Sequence, residues 1–396
     1  FHHLLEVISA EEVQILVEVH HQLSEKMSNL KLKIPNDVIK IHKAFKKNGK
    51  KLYVVGGAVR DELLGIPLTD KDFVVVGSTA EELSKLGFKP VGKDFPVFLH
   101  PQTGDEYALA RTERKKGQGH QGFVFYTHPS VTLEEDLARR DFTVNAIAKT
   151  KDGQLIDPFN GQKDLEAKTL RHISSAFSED PLRVLRACRF LSKLDFVIHP
   201  DTLVLMARMV SSGELATLSP QRIWNELKKG LSGDMPSRMA QSLIQCGALE
   251  ALMPGSTINE HNESGKKFLL DALNTSVQTN TSIETRVALF SLLAVSTEFF
   301  EHNKDRPVNK NNETEKVVNF LARLHVSRTE FETTRLVANY LHKTRSLDEN
   351  DPSDILQVIL DLDSIRQVER YENVRETYQL LANALSDSAL KLKLKK

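Results

Sequence analysis

Two glycines followed by two aspartates place the strongest constraint on how this chain folds. The segment LYVVGGAVRD, residues 52–61, predicts a buried strand, a tight turn at Gly56 and Gly57, and the start of a helix. Glycines let the backbone approach a bulky anion, and a helix start presents free N–H groups to phosphate. A second predicted strand carries Asp70 and Asp72, which share one face because they are two residues apart. Paired carboxylates beside a phosphate cradle suit Mg²⁺, so this block indicates metal-assisted nucleotidyl transfer.

A site for two metal ions usually needs a third carboxylate. Glu106 is our first candidate, because it opens a strand that we expect to lie beside the strand of the two aspartates. Asp105 is its rival. An Asp-x-Asp pair alone is more typical of a surface turn, but the preceding glycines and the cation Arg60 favour anion and metal binding.

Composition narrows the class of protein. A chain of 396 residues has room for two to four domains, and its 40% hydrophobic and 27% charged residues are ordinary for a globular protein. The net charge is +0, so contact with nucleic acid would need a local basic face. Cys188 and Cys246 lie in apolar helical contexts and predict buried thiols in a reducing compartment. No membrane span or targeting segment stands out, so we expect a cytoplasmic protein.

The distribution of apolar residues predicts an α+β chain. Residues 1–50 have helical periodicity and form an N-terminal extension. Residues 51–150 alternate strands with helices and predict a small α/β head with a mixed sheet. Residues 151–255 are mostly helical, and after a polar linker residues 256–396 predict further helices.

Two segments of the head have specific local predictions. Arg111–Gly122 is rich in glycine and basic residues, including Arg111 and Arg114, and predicts a mobile loop. The segment Leu133–Ala148 predicts one helix, on which Asp141 and Asn145 are four residues apart and share a face. Arg139 and Arg140 precede them and can reach a triphosphate. The same pattern is also typical of a charged helix start with Asp141 as its N-cap.

A third cluster follows at the start of a predicted long helix. Asp180 precedes a proline and begins the helix, and Arg183 lies on the adjacent turn. One offers acceptors and the other donors, which suits the Watson–Crick edge of a base. Arg186 and Arg189 continue a basic face at three-residue spacing. An N-cap followed by an exposed amphipathic helix is the structural alternative.

Taken together, six motifs resemble those of a known family. They are GGAVRD, DKDF, RTERKKGQGHQGF, RRDFTVNAI, DPFNGQKDL and EDPLRVLRACRF, and they lie between Leu52 and Pro254. Their order and spacing resemble the bacterial class II tRNA nucleotidyltransferases, the CCA-adding enzymes of the poly(A) polymerase/tRNA nucleotidyltransferase family. The resemblance implies a DNA polymerase beta-like nucleotidyltransferase head followed by an all-helical neck, body and tail.

The resemblance also implies roles for these residues. The metal ligands would be Asp70 and Asp72, holding Mg²⁺ beside the third carboxylate. The triphosphate would bind Gly56, Gly57 and Arg60. The ribose would bind Asp141, with support from Arg140 and Asn145. The base would be selected by Asp180 and Arg183, and Arg186 and Arg189 would reach phosphate or brace the site. The loop Arg111–Gly122 would switch the enzyme from C addition to A addition. The implied partners are the tRNA 3′ end, CTP and ATP.

Alternatives remain within this family. Poly(A) polymerases share the catalytic motifs, but Val91–Pro101 resembles the CCA-adding branch. An enzyme that adds only A can keep every motif, and an RNA-binding pseudoenzyme would be expected to lose its metal ligands. The chain has no His-Asp dipeptide, so we expect the phosphohydrolase domain of some relatives to be degenerate or absent from residues 256–396.

Overall fold

A computed structural model describes Phe45 and residues 49–67, 71–91, 97–115, 123–254, 263–294, 310–343 and 351–384. The chain divides into two compact units, Phe1–Leu52 and Tyr53–Lys396. In the first unit Phe45 is helical, and the remainder of the predicted N-terminal extension lies almost entirely outside the described residues.

A seven-stranded sheet organises the head, in the order β3-β4-β5-β2-β1-β8-β9. Its strands are β1 (Lys51–Val55), β2 (Asp72–Val76), β3 (Lys89–Val91), β4 (Val97–Leu99), β5 (Glu106–Leu109), β8 (Ala148–Lys149) and β9 (Leu155–Ile156). β2 and β5 are parallel, whereas the pairs β3–β4, β4–β5, β1–β8 and β8–β9 are antiparallel. The predicted α+β class with a mixed sheet is therefore confirmed.

Short capped helices connect these strands. Helix α1 (Gly57–Leu63) follows β1, and α2 (Ala80–Lys85) follows β2. Helix α2 begins with a capping box in which Thr79 and Glu82 satisfy each other's backbone N–H groups. Helix α3 (Leu133–Ala138) begins in the same way, with Thr132 as its cap. The adjacent strands β1 and β2 are thus each followed by a helix at their carboxyl ends.

The prediction of one helix over residues 133–148 is wrong. Helix α3 ends at Ala138, a 3₁₀ turn covers Thr143–Asn145, and β8 begins at Ala148. Phe142 interrupts the helix because its backbone is extended and bridges the chain at His172. The fully buried Phe142 ring anchors this break in the core. Tertiary packing here overrides the local helical pattern.

The predicted loop Arg111–Gly122 is also partly wrong. Its first five residues form β6 (Arg111–Lys115), which pairs antiparallel with β7 (Phe123–Thr127) in a separate two-stranded sheet. The aromatic and β-branched run in β7 explains this pairing, because such residues favour strands. Residues 116–122 lie outside the described part of the chain.

The remainder of the described chain is mainly helical, as predicted. Its helices are α4 (Gly161–Glu166), α5 (Leu182–Lys193), α6 (Pro200–Ser211), α7 (Pro220–Leu231), α8 (Pro236–Gln245), α9 (Ala248–Leu252), α10 (Glu263–Gln278), α11 (Ile283–Ser291), α12 (Lys310–Leu324), α13 (Arg328–Lys343), α14 (Pro352–Leu362) and α15 (Val368–Ala384). Helix α5 packs against α7 and α8 at the centre of a continuous apolar core. Cys188 and Cys246 are buried free thiols, as predicted. Within the described ranges, none of the helices combines the length and the apolar character that crossing a bilayer requires.

The 3₁₀ turn at Thr143–Asn145 is supported from below by helix α4. The Asp164 carboxylate, 5% exposed, accepts a 2.7 Å hydrogen bond from the Thr143 hydroxyl. Asp157 caps α4 by accepting from the N–H groups of Gly161, at 2.6 Å, and Gln162, at 2.9 Å. A Cβ atom at Gly161 would lie 2.3 Å from the Thr143 carbonyl oxygen. Only glycine therefore lets the helix approach the turn this closely.

We expect Gly161→Ala to lower the free energy of unfolding by about 1–3 kcal/mol, because the new methyl group meets backbone that cannot rotate away. The measurement is urea unfolding followed by circular dichroism. Lys163→Ala is the matched control, since Lys163 is exposed on the same helix. Equal stability of Gly161→Ala and the control would show that the close approach is unimportant.

Candidate functional site

A cavity of about 600 Å³ opens where the central strands of the sheet face the start of helix α5. Apart from Asp105, the rival third carboxylate, every predicted site residue whose side chain the structure describes lines this cavity. These residues are Gly56, Gly57, Arg60, Asp72, Glu106, Arg111, Arg140, Asp141, Asn145, Asp180, Arg183, Arg186 and Arg189. Asp70 and the Arg114 side chain lie outside the described part of the molecule, so their predictions stay untested. Three separated sequence blocks thus converge on one space.

The glycine turn forms one wall of the cavity. Gly56 has φ 72°, in the left-handed region that favours glycine, and it precedes helix α1. A Cβ atom there would lie 2.9 Å from Arg140 Nη1 and 3.9 Å from Asp72 Oδ2. The missing side chain therefore lets a guanidinium and a carboxylate approach the same stretch of backbone.

Two carboxylates lie side by side at the ends of adjacent strands. Asp72 opens β2 and Glu106 opens β5, and they are register partners in this parallel pair. Both line the cavity. Asp105, the rival to Glu106, instead accepts a 2.7 Å hydrogen bond from the Thr103 hydroxyl in the preceding turn. The structure therefore brings Glu106, rather than Asp105, beside Asp72.

This carboxylate pair fits a divalent metal in its chemistry. Carboxylate oxygens are the ligands that hard cations prefer, and the two residues project from a shared register position. Among the residues that the structure describes, no group of three or more metal-ligating side chains occurs. Asp70, two residues before Asp72, is the sequence's candidate for the missing ligand.

Arg60 is held rigidly at the cavity wall. Its guanidinium is 5% exposed and donates from Nε to Asp61 Oδ1, at 2.8 Å, and from Nη1 to Asn145 Oδ1, at 2.7 Å. Its central carbon also lies 5.1 Å from the centre of the Phe190 ring. These contacts orient the cation before any ligand arrives.

The Asp141 carboxylate accepts four hydrogen bonds, two at each oxygen. Its Oδ1 accepts from the Phe142 N–H and from Asn145 Nδ2, each at 2.9 Å. Its Oδ2 accepts from Arg186 Nε and Nη2, at 2.9 and 2.6 Å. The predicted proximity of Asp141 and Asn145 is thus observed, although a 3₁₀ turn, not a shared helix, produces it.

The electrostatics of Asp141 follow from these contacts. Burial alone would raise the pKa of its carboxyl group, but the Arg186 charge and the hydrogen bond from Asn145 outweigh burial and hold that pKa well below its usual range. The same pair raises the pKa of Arg186. Asp141 is therefore ionised, and a ribose hydroxyl would have to share an oxygen atom with a partner already in place.

Asp180 and Arg183 face the cavity from the start of α5. Asp180 Oδ1 caps this helix by accepting from the Leu182 N–H at 3.0 Å. Arg222 Nη2, on helix α7, lies 3.2 Å from Asp180 Oδ2. Arg183 is 7% exposed and donates to the carbonyl oxygens of Ala176, at 2.9 Å, and Arg139, at 2.6 Å. Both side chains are therefore fixed by the fold.

Sequence reasoning missed several residues of the site. Arg222 and Phe190 line the cavity, and the buried Glu226 accepts a 2.5 Å hydrogen bond from Arg189 Nε. The guanidiniums of Arg186 and Arg189 lie 5.7 and 4.5 Å from the Phe190 ring centre. Helix α7 carries two of these missed residues, and nothing in its periodicity distinguishes them from a solvated helix face.

Asp136 was missed as well. Its carboxylate is fully buried and accepts from Arg139 Nη2, at 2.8 Å, from Arg140 Nη2, at 3.2 Å, and from the Arg111 N–H, at 3.2 Å. Burial alone would raise the pKa of Asp136, but the two guanidiniums keep that pKa below its ordinary value. The one available signal was a carboxylate beside Leu137 on an otherwise apolar helix face.

Two family models and a bacterial relative match this chain. Residues 52–171 match the family model "Poly A polymerase head domain", and residues 195–258 match "Probable RNA and SrmB- binding site of polymerase A". The chain is 45% identical over 344 residues to a CCA-adding enzyme of Coxiella burnetii, which covers 87% of this chain and 85% of that protein.

Solved structures with the same fold point in the same direction. An apo form of a CCA-adding enzyme superimposes with a TM-score of 0.66 and 25% identity, covering 93% of this chain and 83% of the other. A tRNA nucleotidyltransferase complexed with a primer tRNA and an incoming ATP analog gives a TM-score of 0.62 and 25% identity. The match covers 90% of this chain and 96% of the other.

The Asp141–Arg186 pair predicts a specific dependence of stability on pH. The pKa of Asp141 is lower in the folded protein than in the unfolded chain. Its stabilisation is therefore complete above the ordinary Asp pKa of about 3.9 and is lost as pH falls toward the folded value. We expect Asp141→Asn to lower the free energy of unfolding by about 1–3 kcal/mol at neutral pH, and this difference to shrink below about pH 4.

The measurement is urea unfolding of both proteins between neutral and acid pH. Asp152→Asn, at an exposed turn position, is the control for removal of a surface carboxylate. A difference between Asp141→Asn and the unaltered protein that stays constant into acid would contradict the assignment.

Proposed function

Because this chain belongs to the family of bacterial CCA-adding tRNA nucleotidyltransferases, we propose that it adds C, C and A to the 3′ end of tRNA. CTP and ATP are the donors, and no nucleic-acid template is used. The observation that carries the proposal is the single cavity. It joins a carboxylate pair, a glycine turn with fixed cations, and an acceptor–donor pair suited to reading a base.

The carboxylates supply the metal-binding part of the reaction. Asp72 and Glu106, together with Asp70, are the residues that would hold Mg²⁺. Held by these residues, a divalent metal would supply Lewis-acid activation of the RNA 3′-hydroxyl and positive charge to offset that of the triphosphate. Support for this assignment is the register pairing of Asp72 and Glu106, which sets two hard oxygen ligands at one edge of the sheet.

The glycine turn and its arginines form the phosphate side. Gly56 and Gly57 allow close approach of the triphosphate to the backbone. Arg60 and Arg140 face this turn and provide positive charge, which favours a polyanion in a partly enclosed cavity. Their contacts with Asn145 and Asp136 hold both guanidiniums in place, so little side-chain entropy is lost on binding.

Asp180 and Arg183 select the base. Cytosine and adenine each present an exocyclic amine donor, whereas guanine and uracil present a carbonyl acceptor at the equivalent place. A carboxylate acceptor beside a guanidinium donor therefore matches C and A and opposes G and U. Arg186 and Arg189 brace the base side through their partners Asp141 and Glu226. Asp141 and Asn145 border the ribose.

The other assignments extend this proposal to the whole chain. Residues 51–150 form the nucleotidyltransferase head, residues 151–255 the neck with the base template, and residues 256–396 a body and tail that position tRNA. The hairpin β6–β7 begins the element that switches the added nucleotide. No phosphohydrolase activity is assigned to the C-terminal helices, since the chain has no His-Asp dipeptide. The cytoplasm is the compartment we propose for this activity, as expected from the sequence.

The assignment of Glu106 as the third carboxylate predicts different effects of substituting Glu106 and its neighbour Asp105. Unaltered protein with Mg²⁺ should extend a tRNA that lacks its 3′ CCA. We expect Glu106→Gln to lower the rate of this extension at least about 10³-fold, because stabilisation of transition-state charge by a metal amounts to several kcal/mol. Asp105→Asn is the matched control and should keep near-normal activity. Loss of activity in the control, with activity kept in Glu106→Gln, would reverse the assignment.

The base template predicts a change in selectivity. Asp180→Ala should lower the ratio of CTP to UTP incorporation at the first step by about tenfold or more, because one hydrogen-bond partner of the base is lost. The ratio is obtained from kcat/KM for each nucleotide. Asp201→Ala, whose side chain is 81% exposed at the start of α6, is the control. An unchanged ratio in Asp180→Ala would show that the template lies elsewhere.

A further inference from the structure

One buried carboxylate connects three walls of the cavity without lining it. Asp136 is 0% exposed and lies in the last turn of helix α3. Its Oδ1 accepts from the Arg111 N–H, at 3.2 Å, and from Arg139 Nε and Nη2, at 3.1 and 2.8 Å. Its Oδ2 accepts from Arg140 Nη2 at 3.2 Å. One side chain therefore contacts a strand of the hairpin and two arginines of the cavity.

Arg139 extends this connection to the base-reading side. Its Nε also donates to the Arg111 carbonyl oxygen at 3.1 Å, so both backbone groups of Arg111 are held by the Asp136–Arg139 pair. The Arg139 carbonyl oxygen accepts a 2.6 Å hydrogen bond from Arg183 Nη2. Arg139 thus links the two sides: its side chain is bonded to Asp136 and to the first residue of β6, and its backbone carbonyl is bonded to Arg183.

Charge explains why a carboxylate is needed at this position. Arg139 and Arg140 are adjacent in sequence, and their side chains are 15% and 18% exposed. Two guanidiniums that lie this close repel each other, and a buried anion between them offsets the repulsion. An amide of the same shape would carry no charge and would turn N–H groups toward groups that only donate.

We propose that Asp136 is a positioning residue for nucleotide selection, which sets the spacing between hairpin strand β6 and the guanidinium of Arg183. The inference rests on the proposed function, because it takes Arg183 as a reader of the base. Asp136 acts through Arg139 and does not touch the nucleotide. Its loss shifts Arg183 relative to Asp180, so a wrong base gains relative to the right one.

The test is the selectivity of Asp136→Asn at the first addition to a tRNA that lacks CCA. We expect kcat/KM for CTP to fall, and the ratio of kcat/KM for CTP to that for UTP to fall about tenfold or more. Glu134→Gln removes a charge from an exposed position of the same helix and should stay within about twofold of the unaltered ratio. A ratio of rate constants does not depend on the fraction of folded enzyme.

The outcomes separate three accounts. If Asp136 only stabilises the fold, both nucleotides lose activity equally, the ratio is unchanged and the proposal is overturned. If Asp136→Asn does not fold, Arg139→Lys replaces it, since lysine keeps the charge but loses the two-nitrogen bridge. An unaltered ratio in that variant also overturns the proposal. If the unaltered protein adds no C at all, the proposed function itself fails, which is a distinct result.

Discussion

The ion pair between Asp141 and Arg186 is the contact on which the rest of the site depends. It joins the segment after helix α3 to helix α5. Its two hydrogen bonds, of 2.6 and 2.9 Å, offset the desolvation cost of the buried Asp141 carboxylate. Asn145 donates to the same carboxylate and accepts a hydrogen bond from Arg60, so Arg60 is held in the same network. The glycine turn, the 3₁₀ turn and helix α5 are therefore held in one arrangement before any nucleotide binds.

Local patterns predicted the elements but not every boundary. The sheet and the helical body follow from the periodicity of apolar residues, and the strand after Glu106 was correctly expected beside the strand of Asp72. The break in residues 133–148 could not be foreseen, because it depends on Phe142 bridging His172, thirty positions away. Strand β6 was likewise hidden, since its partner β7 lies beyond a glycine-rich stretch.

The residues of the site likewise fall into two groups, those that the motifs predicted and those that only the tertiary structure reveals. Motifs brought out the side chains with conspicuous chemistry, including both members of the Asp141–Asn145 pair. They did not reveal Arg222, Glu226 or Asp136, whose importance arises from partners on other elements. Such supporting residues are charged groups on helices, and one-dimensional spacing does not distinguish a buried ion pair from a solvated face.

The proposed activity requires a choice of nucleotide at each step, which single-turnover extension measures directly. Three tRNA substrates are used, ending before the first C, after the first C and after the second C, with CTP and ATP offered separately. We expect CTP to extend only the first two substrates and ATP to extend only the third, by a single A. Addition of A to all three, or of several A residues in a row without use of CTP, would contradict it.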